Sequence, residues 1–448
     1  MSPPAAGMSK VTVLGAGVSG RSIALLASRL GSCVFVSDGG EIRDETRALL
    51  TDGGIAFESG GHTDRALDCD VIVVSSGFPP SSEIIHRARD RGVRVMGELD
   101  FVMPHLRGRV IGVTGSNGKT TTTSLTAHLL KSLGYKTAAA GNIGNPISDI
   151  AGLDLDYIIV EMSSFQLHWA SSLRLAGAVV TNLAPDHIDW HGSYENYVRA
   201  KASILSFVET DGFAITQASD AEALGECRGR TYRVFWERPA GVHWICLSQS
   251  DKSCRIGERR LFGFEETNLM GTHNMENAAM SMACVELLGC DADSARKGLG
   301  DYEAPPHRCS LVLSSGGVRY VDDSKGTNIA ATAAALSSIE GSKIIILGGR
   351  GKGEDYSRLA DPLKKHARWA VIMGEASAEM ASALDYAGYD RYALAVDMEE
   401  AVAKASELAE PGDAVLLSPA CTSWDMYKNY NERGDHFARL VRELHETA

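Results

Sequence analysis

The sequence lacks an apolar run of the roughly 18 to 20 residues that a helix needs to cross a bilayer, and residues 1–10 lack the apolar core of a secretion signal. Its nine cysteines form no C-x-x-C pair and show no Cys/His zinc spacing, so we expect reduced thiols. Low-complexity stretches and repeats of solenoid length are also absent. These absences argue against a membrane-spanning or secreted protein and predict a cytoplasmic one.

Proline and positive charge are scarce as well. There are 13 prolines, and 44 Lys and Arg residues are set against 57 Asp and Glu residues, which gives a net charge of −13. Long-range repulsion therefore opposes binding of nucleic acid or of an anionic membrane, and we expect neither as a partner. The hydrophobic share of 44% is that of an ordinary globular protein. Any anionic ligand needs positive side chains concentrated at one place.

Short apolar strands alternate with helical patterns along the whole chain. This alternation predicts parallel α/β sheets, in which ligand loops follow the carboxyl ends of the strands. The segment from Arg228 to Gly263 is less regular, and we expect hairpins there. The predicted strands are Val11–Leu14, Val34–Ser37, Val71–Ser75, Val110–Val113, Ile158–Glu161, Ala178–Thr181, Lys343–Leu347, Ala370–Met373 and Ala414–Ser418.

The chain of 448 residues is long enough for about three domains, since domains cluster near 100 to 200 residues. A first boundary is predicted after Glu98, before a new strand begins at Arg109. A second is predicted at Pro305-Pro306, where two prolines break the preceding helical pattern. We therefore predict domains over residues 1–98, 99–306 and 307–448.

The run from Val110 to Thr121 indicates a nucleoside triphosphate site. A buried strand leads into the loop Gly115-Ser116-Asn117-Gly118, and a helix is predicted over Thr120–Leu133. Backbone N–H groups and the positive helix end would face phosphates, Lys119 adds a cation, and the Thr120 hydroxyl can ligate Mg²⁺. Val113 stands where the usual loop has a glycine, which disfavours the ordinary GTPase and motor classes. The alternative is a glycine-rich turn with a surface lysine.

A second glycine-rich turn, Gly15-Ala16-Gly17-Val18-Ser19-Gly20, follows the first strand, and Asp38 ends the next strand. This pattern is typical of a dinucleotide site, and taken literally it predicts an NAD-dependent oxidoreductase. The other alternative is a turn whose glycines serve only packing. The loop Ser75–Pro80 follows a further strand and is expected at the same sheet edge.

Several polar residues follow strands of the middle region. Glu161 ends a strand and could join Thr120 as an oxygen ligand of Mg²⁺, although a solvated loop carboxylate is the alternative. His187, flanked by acids after another strand, is a further site candidate. Lys201 lies in the helical run Tyr194–Phe207, where a lysine taken alone is expected to be solvated.

Motifs spread over nearly the whole chain form one combination: Thr114-Gly115-Ser116-Asn117-Gly118-Lys119-Thr120-Thr121, Gly141-Asn142-Ile143-Gly144, Glu161-Met162-Ser163-Ser164-Phe165-Gln166-Leu167, Asp186-His187, Gly271-Thr272-His273-Asn274-Met275-Glu276-Asn277 and Asp323-Ser324-Lys325-Gly326-Thr327-Asn328. This combination resembles the Mur ligases. The tail from Leu417 to Tyr430, with Arg433-Gly434, resembles the branch of that family that adds D-glutamate. An Asp-Asn-Pro-Arg motif is absent, which disfavours the diaminopimelate-adding branch.

The resemblance implies a three-domain α/β fold, with a Rossmann-like N-terminal domain, a P-loop mononucleotide-binding central domain and a Rossmann-like C-terminal domain. It implies that the first domain holds the UDP part of UDP-N-acetylmuramoyl-L-alanine rather than NAD. ATP would phosphorylate the L-alanyl carboxylate, and the amine of D-glutamate would attack the acyl phosphate, in cytoplasmic peptidoglycan precursor synthesis. We expect a monomer acting on these small molecules.

The resemblance also assigns residues to roles. It implies ATP contacts by Gly115, Ser116, Asn117, Gly118, Lys119, Thr120, Thr121, Asn274, Asn277, Arg308 and Asp323. It implies UDP-substrate contacts by Gly17, Val18, Ser19, Asp38, Ser75, Gly77, Asn142 and His187, and D-glutamate contacts by Lys325, Thr327, Lys352, Ser423 and Tyr430. It implies catalytic roles for Lys119, Glu161, His187 and Lys201, and two Mg²⁺ ions held by Thr120, Glu161, His187 and Lys201, the last carbamoylated by CO₂.

Three positions depart from the family pattern. Asp38-Gly39-Gly40 lacks the arginine that often follows the uridine-side acid, Ser76 replaces a common proline, and Tyr430 replaces a frequent phenylalanine. Sister Mur ligases and folylpolyglutamate synthases share the central motifs, so they stay open as alternatives. A nucleotide-gated binding module is the alternative without catalysis.

Overall fold

The computed structural model describes residues 10–142, 145–241, 243–269 and 271–446, with only the backbone of Asp189. The strands are β1 Lys10–Leu14, β2 Cys33–Ser37, β3 Ala56–Glu58, β4 Val71–Val74, β5 Arg94–Gly97, β6 Arg107–Thr114, β7 Thr137–Gly141, β8 Asp154–Glu161, β9 Leu175–Val180, β10 Val208–Gln217, β11 Arg230–Phe235, β12 Trp244–Ser248, β13 Ser253–Ile256, β14 Arg259–Gly263, β15 Ser310–Ser315, β16 Val318–Asp322, β17 Lys343–Gly348, β18 Ala367–Met373, β19 Tyr392–Leu394 and β20 Ala414–Leu417.

The α-helices are α1 Val18–Arg29, α2 Asp44–Asp52, α3 Glu83–Asp90, α4 Glu98–Val102, α5 Lys119–Ser132, α6 Ser164–His168, α7 Ile188–His191, α8 Tyr194–Ala202, α9 Ala221–Leu224, α10 Thr272–Leu287, α11 Ala292–Ala295, α12 Ile329–Ser338, α13 Ala360–His366, α14 Ser377–Tyr386, α15 Met398–Leu408 and α16 Tyr430–Glu446. Short 3₁₀ turns, such as Ser203–Phe207 after α8, join several elements. Together these elements form three sheets with helices on their faces.

The first sheet is parallel, in the order β3-β2-β1-β4-β5. Leu14 pairs with Val74, so the loops that follow β1 and β4 leave the sheet side by side. A Cβ on Gly15 would lie 2.3 Å from Ser75 Oγ, and one on Gly20 would lie 1.8 Å from the Gly15 carbonyl oxygen. Glycine is therefore required here because the two loops and α1 approach one another closely.

The second sheet has nine strands, in the order β14-β13-β12-β11-β10-β9-β6-β8-β7. β6 lies between β8 and β9, and Val113 pairs with both Glu161 and Val179. The carboxyl ends of these three strands thus meet at one edge, next to the loop that follows β6. Residues of α5 and α10 share the apolar core on one face of this sheet.

The hairpin prediction for residues 228–263 is correct only for the last part of that segment. β12, β13 and β14 form antiparallel hairpins, whereas β11 and β12 extend the parallel sheet beside β10. The apolar strands β11 and β12 add to the sheet because Tyr232, Val234 and Ile245 bury against the same core.

The third sheet has the order β15-β16-β20-β17-β18-β19, and only its edge strand β15 pairs antiparallel. Asp322 pairs with Leu417, so the segments after β16 and β20 emerge together. The Asp323 and Ser418 side chains, one residue past these two strand ends, are consequently neighbours. This edge carries most of the predicted amino acid-binding residues.

All nine predicted strands are present, and the predicted α/β class is confirmed. The three sheets draw on residues 10–97, 107–263 and 310–417, whereas the domain boundaries at 98/99 and 306/307 stay predictions. The nine cysteines are free thiols, as expected. Among the described residues, helices long and apolar enough for a membrane span are not found.

Candidate active site

The predicted nucleotide loop joins β6 to α5. Gly115 has a φ of +139° and Gly118 a φ of +80°, values that favour glycine. A Cβ on Gly115 would lie 1.9 Å from Thr181 Oγ1, and one on Gly118 would lie 2.3 Å from Asn277 Oδ1. Both glycines are thus required by conformation and by close neighbours. The strand, loop and helix occur in the order that an anion site needs.

The loop is fixed by the segment that follows β9. Asn182 Oδ1 accepts from the Asn117 N–H at 3.0 Å, and its Nδ2 donates to the Asn117 carbonyl at 3.1 Å. Ser116 Oγ accepts from the Ala184 N–H at 2.8 Å and lies 2.8 Å from the Tyr197 hydroxyl. The sequence predictions missed Asn182 and Tyr197, although the position of Asn182 just past a strand that neighbours β6 was a usable signal.

Lys119 is folded back onto its own loop. Its ammonium donates to the carbonyl oxygens of Gly115 and Ser116, both at 2.8 Å. Burial lowers its pKa, while the negative charges of Glu161 and Asp186 act in the opposite direction. The surface-lysine alternative is wrong, because this side chain lies inside a cluster of polar and charged groups.

Glu161 ends β8 and is 2% exposed, so it is not a solvated loop carboxylate. Its Oε1 accepts from Asn142 Nδ2 at 3.1 Å, whereas Oε2 is buried without a hydrogen-bond partner. An unsatisfied buried polar oxygen costs about 1 to 3 kcal/mol or more when charged, and a bound cation would remove that cost. The Glu161 carboxylate therefore fits Mg²⁺. Ile143 and Gly144, the rest of the predicted loop with Asn142, lie outside the described residues.

Asp186 and His187 follow β9. Asp186 Oδ1 lies 3.0 Å from Lys352 Nζ, and Oδ2 lies 3.7 Å from His187 Nε2. Burial by itself raises the pKa of Asp186, but the positive charges of Lys352, His187 and Lys119 outweigh it, so the pKa is lowered. His187 has a φ of +51°, and its ring meets Phe165 edge-on at 4.7 Å. The Asp186 carboxylate is thus surrounded by the positively charged groups of Lys352, His187 and Lys119.

Lys201, on α8, is 2% exposed, so the expectation of a solvated lysine is wrong. Its Nζ donates to the Gly115 carbonyl at 2.7 Å and lies 4.8 Å from the centre of the Tyr197 ring. Burial and the charge of Lys119 lower its pKa well below the ordinary value, against the opposing effects of Asp186 and Glu161. The Lys201 amine therefore holds its proton less readily than an exposed lysine does.

The third sheet contributes Asp323 and Lys325. Asp323 Oδ2 accepts from Ser418 Oγ at 2.7 Å, and burial raises the pKa of Asp323 to about 7. Lys325 Nζ lies 4.0 Å from the centre of the Tyr430 ring. Burial first, and then the charge of Arg308, lower the pKa of Lys325 to about 7. Ser418 was missed because only the folded sheet places it beside Asp323.

Side chains from the third sheet reach the nucleotide loop. Asn328 Nδ2 lies 3.4 Å from both Asn117 Oδ1 and Asp186 Oδ2, and Lys352 Nζ donates to the other oxygen of Asp186, Oδ1, at 3.0 Å. Glu161 acts on the pKa of both Lys119 and Lys325. One cluster thereby contains residues predicted for the nucleotide, the metal and the amino acid, namely Lys119, Glu161, Lys325 and Lys352.

The other predicted ATP residues lie along α5 and α10. Thr120 and Thr121 are buried in the first turn of α5. Asn277 Oδ1 accepts from Thr122 Oγ1 at 3.3 Å, and its Nδ2 donates to Asn274 Oδ1 at 3.2 Å. These bonds place Asn274 and Asn277 next to the nucleotide loop.

The predicted UDP-binding residues lie at the edge of the first sheet. Asp38 Oδ2 accepts from the Ala16 N–H at 2.6 Å and Oδ1 from the Gly40 N–H at 2.8 Å, so this acid holds the glycine turn. Gly17 precedes α1, on which Val18 is 55% exposed. Gly77, by contrast, is bound through its carbonyl to Trp190 at 3.1 Å. Asn142 lies apart from this edge, at Glu161.

The remaining amino acid-binding candidates lie around the third sheet. The N–H of Thr327 donates to the Lys325 carbonyl at 2.8 Å, and Ser423 is 2% exposed. The Tyr430 carbonyl accepts from Ser324 Oγ at 2.8 Å. Arg433, quoted in the sequence motif but given no role, is buried, and its guanidinium donates to the Ser324 and Cys421 carbonyls at 2.7 and 3.1 Å. Arg433 therefore holds the loop that carries Lys325.

Family profiles match all three sheets. The MurD N-terminal domain matches residues 10–84, the Mur ligase middle domain residues 113–285, and the Mur ligase, glutamate ligase domain residues 307–421. The solved UDP-N-acetylmuramate–alanine ligase of Thermotoga maritima is similar in fold, with a TM-score of 0.61 at 18% identity over 97% of this chain and 99% of that one. The chain belongs to the Mur ligase family, and the NAD-dependent oxidoreductase alternative is wrong.

Curated relatives indicate which branch of the family the chain resembles most. A protein from Pelotomaculum thermopropionicum is 36% identical over 97% of this chain and 98% of its own length. One from Desulfitobacterium hafniense is 37% identical over 97% of each. Both are named UDP-N-acetylmuramoylalanine–D-glutamate ligase, and within the Mur ligases the chain groups with the ligases of that name.

Proposed function

We propose that the chain uses ATP to join D-glutamate to the L-alanyl carboxylate of UDP-N-acetylmuramoyl-L-alanine, in peptidoglycan precursor synthesis. The observation that carries the proposal is the contact between Lys352 Nζ and Asp186 Oδ1 at 3.0 Å. This contact brings a lysine of the third sheet, whose family profile is described as a glutamate ligase domain, into the nucleotide site. A ligase needs its acyl donor, ATP and amine at one place.

ATP is assigned to the loop after β6. Backbone N–H groups from Gly115 to Lys119 and the amino end of α5 suit the phosphates. Lys119 would exchange the carbonyl oxygens of its own loop for phosphate oxygens, which bind an ammonium more strongly. Asn274, Asn277, Arg308 and Asp323 are assigned to the remainder of the nucleotide.

Mg²⁺ is assigned to Glu161 Oε2, the buried oxygen without a partner. Among the described residues, three His, Cys, Asp or Glu side chains do not come together as a complete metal site. Further ligands must then come from the Thr120 hydroxyl, His187, phosphate oxygens and a carbamate on Lys201, which we propose serve two ions. When bound, the cations would neutralise the charge of the transferring phosphoryl group.

The carbamate on Lys201 is proposed from the family resemblance, and the surroundings of Lys201 support it. A neutral amine can attack CO₂, which forms a nitrogen–carbon bond and releases one proton to solvent. A protonated lysine about 4 Å from Mg²⁺ would be repelled by roughly 8 kcal/mol at an effective dielectric near 20, whereas a carbamate is attracted. The lowered pKa of Lys201 supports the same step, because it favours the neutral amine.

The reaction then requires positioning and charge neutralisation. An oxygen of the L-alanyl carboxylate attacks the γ-phosphorus and ADP leaves, which gives an acyl phosphate. The neutral amine of D-glutamate attacks the acyl carbon, and phosphate leaves from the tetrahedral intermediate. Lys119 and Arg308 offset the negative charge that gathers there.

D-glutamate is assigned to the third sheet. Its two carboxylates need several donors, and Lys325, Thr327, Lys352, Ser423 and Tyr430 lie around one sheet edge. Lys352 would exchange Asp186 for a substrate carboxylate. The UDP part is assigned to the first sheet, through Gly17, Val18, Ser19, Asp38, Ser75 and Gly77. The domain ranges, the cytoplasmic location and the monomeric state stay predictions.

One assay tests the proposal. Phosphate release from ATP is measured with UDP-N-acetylmuramoyl-L-alanine while the amino acid is varied among D-glutamate, L-glutamate, L-alanine and diaminopimelate. We expect turnover with D-glutamate alone. Turnover with another amino acid would point to a sister ligase, and ATP binding without amino acid-dependent phosphate release would point to a binding module.

A further inference from the structure

The loop of residues 75–80, between β4 and α3, is held at three consecutive residues by side chains outside the first sheet. Ser76 Oγ donates to Glu98 Oε2 at 2.9 Å. The carbonyl oxygens of Gly77 and Phe78 accept from the indole N–H groups of Trp190 and Trp169, each at 3.1 Å. This loop carries Ser75 and Gly77, which are assigned to the UDP-substrate.

Glu98 links this loop to the metal site. It is the first residue of α4 and is 3% exposed. The same Oε2 that binds Ser76 also accepts from Gln166 Nε2 at 3.2 Å, and Gln166 Oε1 accepts from the Ser163 N–H at 2.9 Å. Ser163 lies two residues after Glu161, so these hydrogen bonds connect the substrate loop to the segment that directly follows the strand end with the unpartnered carboxylate oxygen.

The other oxygen of Glu98, Oε1, is buried without a hydrogen-bond partner. Burial raises the pKa of Glu98, against hydrogen bonds from Gln166, Ser76 and Ser19, and the negative Asp149 raises it further. Glu98 therefore binds a proton more readily than an exposed glutamate does.

We propose that Glu98 is a positioning residue for the acyl donor. By accepting hydrogen bonds from both Ser76 and Gln166, it fixes the position of the loop 75–80 relative to the Glu161 strand end. This inference rests on the proposed function, since the loop is taken to bind the UDP-substrate. Ser76, a departure from the family pattern, thereby acquires a role in this chain. The reacting carboxylate would be displaced from the metal site if the link were lost.

Four variants of the full-length protein test this role: Glu98→Ala, Glu98→Gln, Ser76→Ala and the double alanine variant. Ser81→Ala is the matched control, because Ser81 is an exposed serine next to the same loop. The measurements are KM for the UDP-substrate, ATP and D-glutamate, kcat, the melting temperature, and binding of the UDP-substrate by calorimetry.

We expect Glu98→Ala to raise KM for the UDP-substrate about tenfold, as for a lost buried hydrogen-bond pair, with KM for ATP changed less than about twofold. Ser76→Ala should raise it by a smaller factor, and the double variant should be no worse than Glu98→Ala alone, since both changes break one link. Glu98→Gln should recover most of the loss, because its amide oxygen keeps an acceptor for Ser76 and Gln166.

Three results would overturn the inference. They are an unchanged KM for the UDP-substrate in both single alanine variants, a rise in all three KM values that tracks the melting temperature, and a Glu98→Gln variant as impaired as Glu98→Ala. If Glu98→Ala fails to fold, the KM of Ser76→Ala for the UDP-substrate tests the inference by itself. This variant removes only the hydroxyl that binds Glu98 and should still fold. A wild-type protein that does not bind the UDP-substrate would overturn the proposed function as well, which the calorimetry distinguishes.

Discussion

Lys352 Nζ and Asp186 Oδ1 lie 3.0 Å apart, with the side chain of Lys352 only 10% and that of Asp186 only 9% exposed. The lysine comes from the loop after β17 in the third sheet, and the aspartate follows β9 in the second. Asp186 also accepts a hydrogen bond from Asn328, so two residues of the third domain region bind one carboxylate beside the nucleotide loop. The pair is therefore a direct structural link between the proposed amino acid and ATP sites.

Replacing Lys352 by alanine should raise KM for D-glutamate by about tenfold or more and leave KM for ATP within about threefold, because a charge-assisted bond to a substrate carboxylate is lost. Lys365→Ala, a change of an exposed lysine on α13, between the strands β17 and β18, is the control. Equal effects of Lys352→Ala on both substrates would contradict the assignment of Lys352 to D-glutamate.

Replacing Glu161 by glutamine keeps an acceptor for Asn142 but removes the negative charge offered to Mg²⁺. We expect kcat to fall by about 100-fold or more and the Mg²⁺ concentration for half-maximal rate to rise, with little change in melting temperature. Glu222→Gln, at an exposed glutamate, should leave both unchanged. A Glu161→Gln variant with the wild-type Mg²⁺ dependence would remove Glu161 from the metal site.

Lys201 should carry a carbamate. Protein supplied with ¹³C-labelled bicarbonate, Mg²⁺ and nucleotide should show a carbamate carbon resonance that Lys201→Met lacks, because burial lowers the pKa of this amine and so favours its reaction with CO₂. Electron density that ends at an unmodified ammonium in a liganded, bicarbonate-supplied crystal would contradict the modification.

Asp323 should make stability depend on pH. Its folded pKa of about 7 lies above the ordinary value near 3.9, so between these values the folded protein keeps a proton that the unfolded chain has lost. Its contribution to stability therefore falls as pH rises through this window and is constant above it. The melting temperature of the wild type relative to Asp323→Asn should fall between pH 5 and pH 8.

The control for this prediction is Asp390→Asn, at an exposed aspartate. Its melting temperature should change with pH in the same way as that of the wild type. If the melting temperatures of wild type and Asp323→Asn changed in parallel with pH, Asp323 would instead be ionised in the folded protein over the whole range from pH 5 to pH 8.

The central strand, loop and helix could be predicted from the sequence because their signals are local. Val110–Val113 is continuously apolar, and Gly115 and Gly118 mark the turn. β7, by contrast, has the sequence Thr-Ala-Ala-Ala-Gly, which has little strand propensity and becomes a strand by pairing with β8. The edge strands β3 and β19 were missed because each has only three residues, too few to show an alternating pattern.

The candidate site was predictable where a residue's role follows from its own motif, as for Lys119 and Glu161. Asn182, Ser418 and Trp190 act on partners 65, 95 and 113 residues away in the chain, and only the fold brings those partners near. Burial is equally a tertiary property. Lys201 has the sequence surroundings of a surface lysine, yet the packing of α8 against the nucleotide loop buries it.

The most direct test of the account follows an oxygen atom. UDP-N-acetylmuramoyl-L-alanine labelled with ¹⁸O in the L-alanyl carboxylate is incubated with ATP, D-glutamate and the protein, and both products are analysed by mass spectrometry. The account predicts that each amide formed with D-glutamate is matched by one ¹⁸O in the released phosphate, because that oxygen attacks the γ-phosphorus. Unlabelled phosphate, or phosphate released without a D-glutamyl amide, would contradict it.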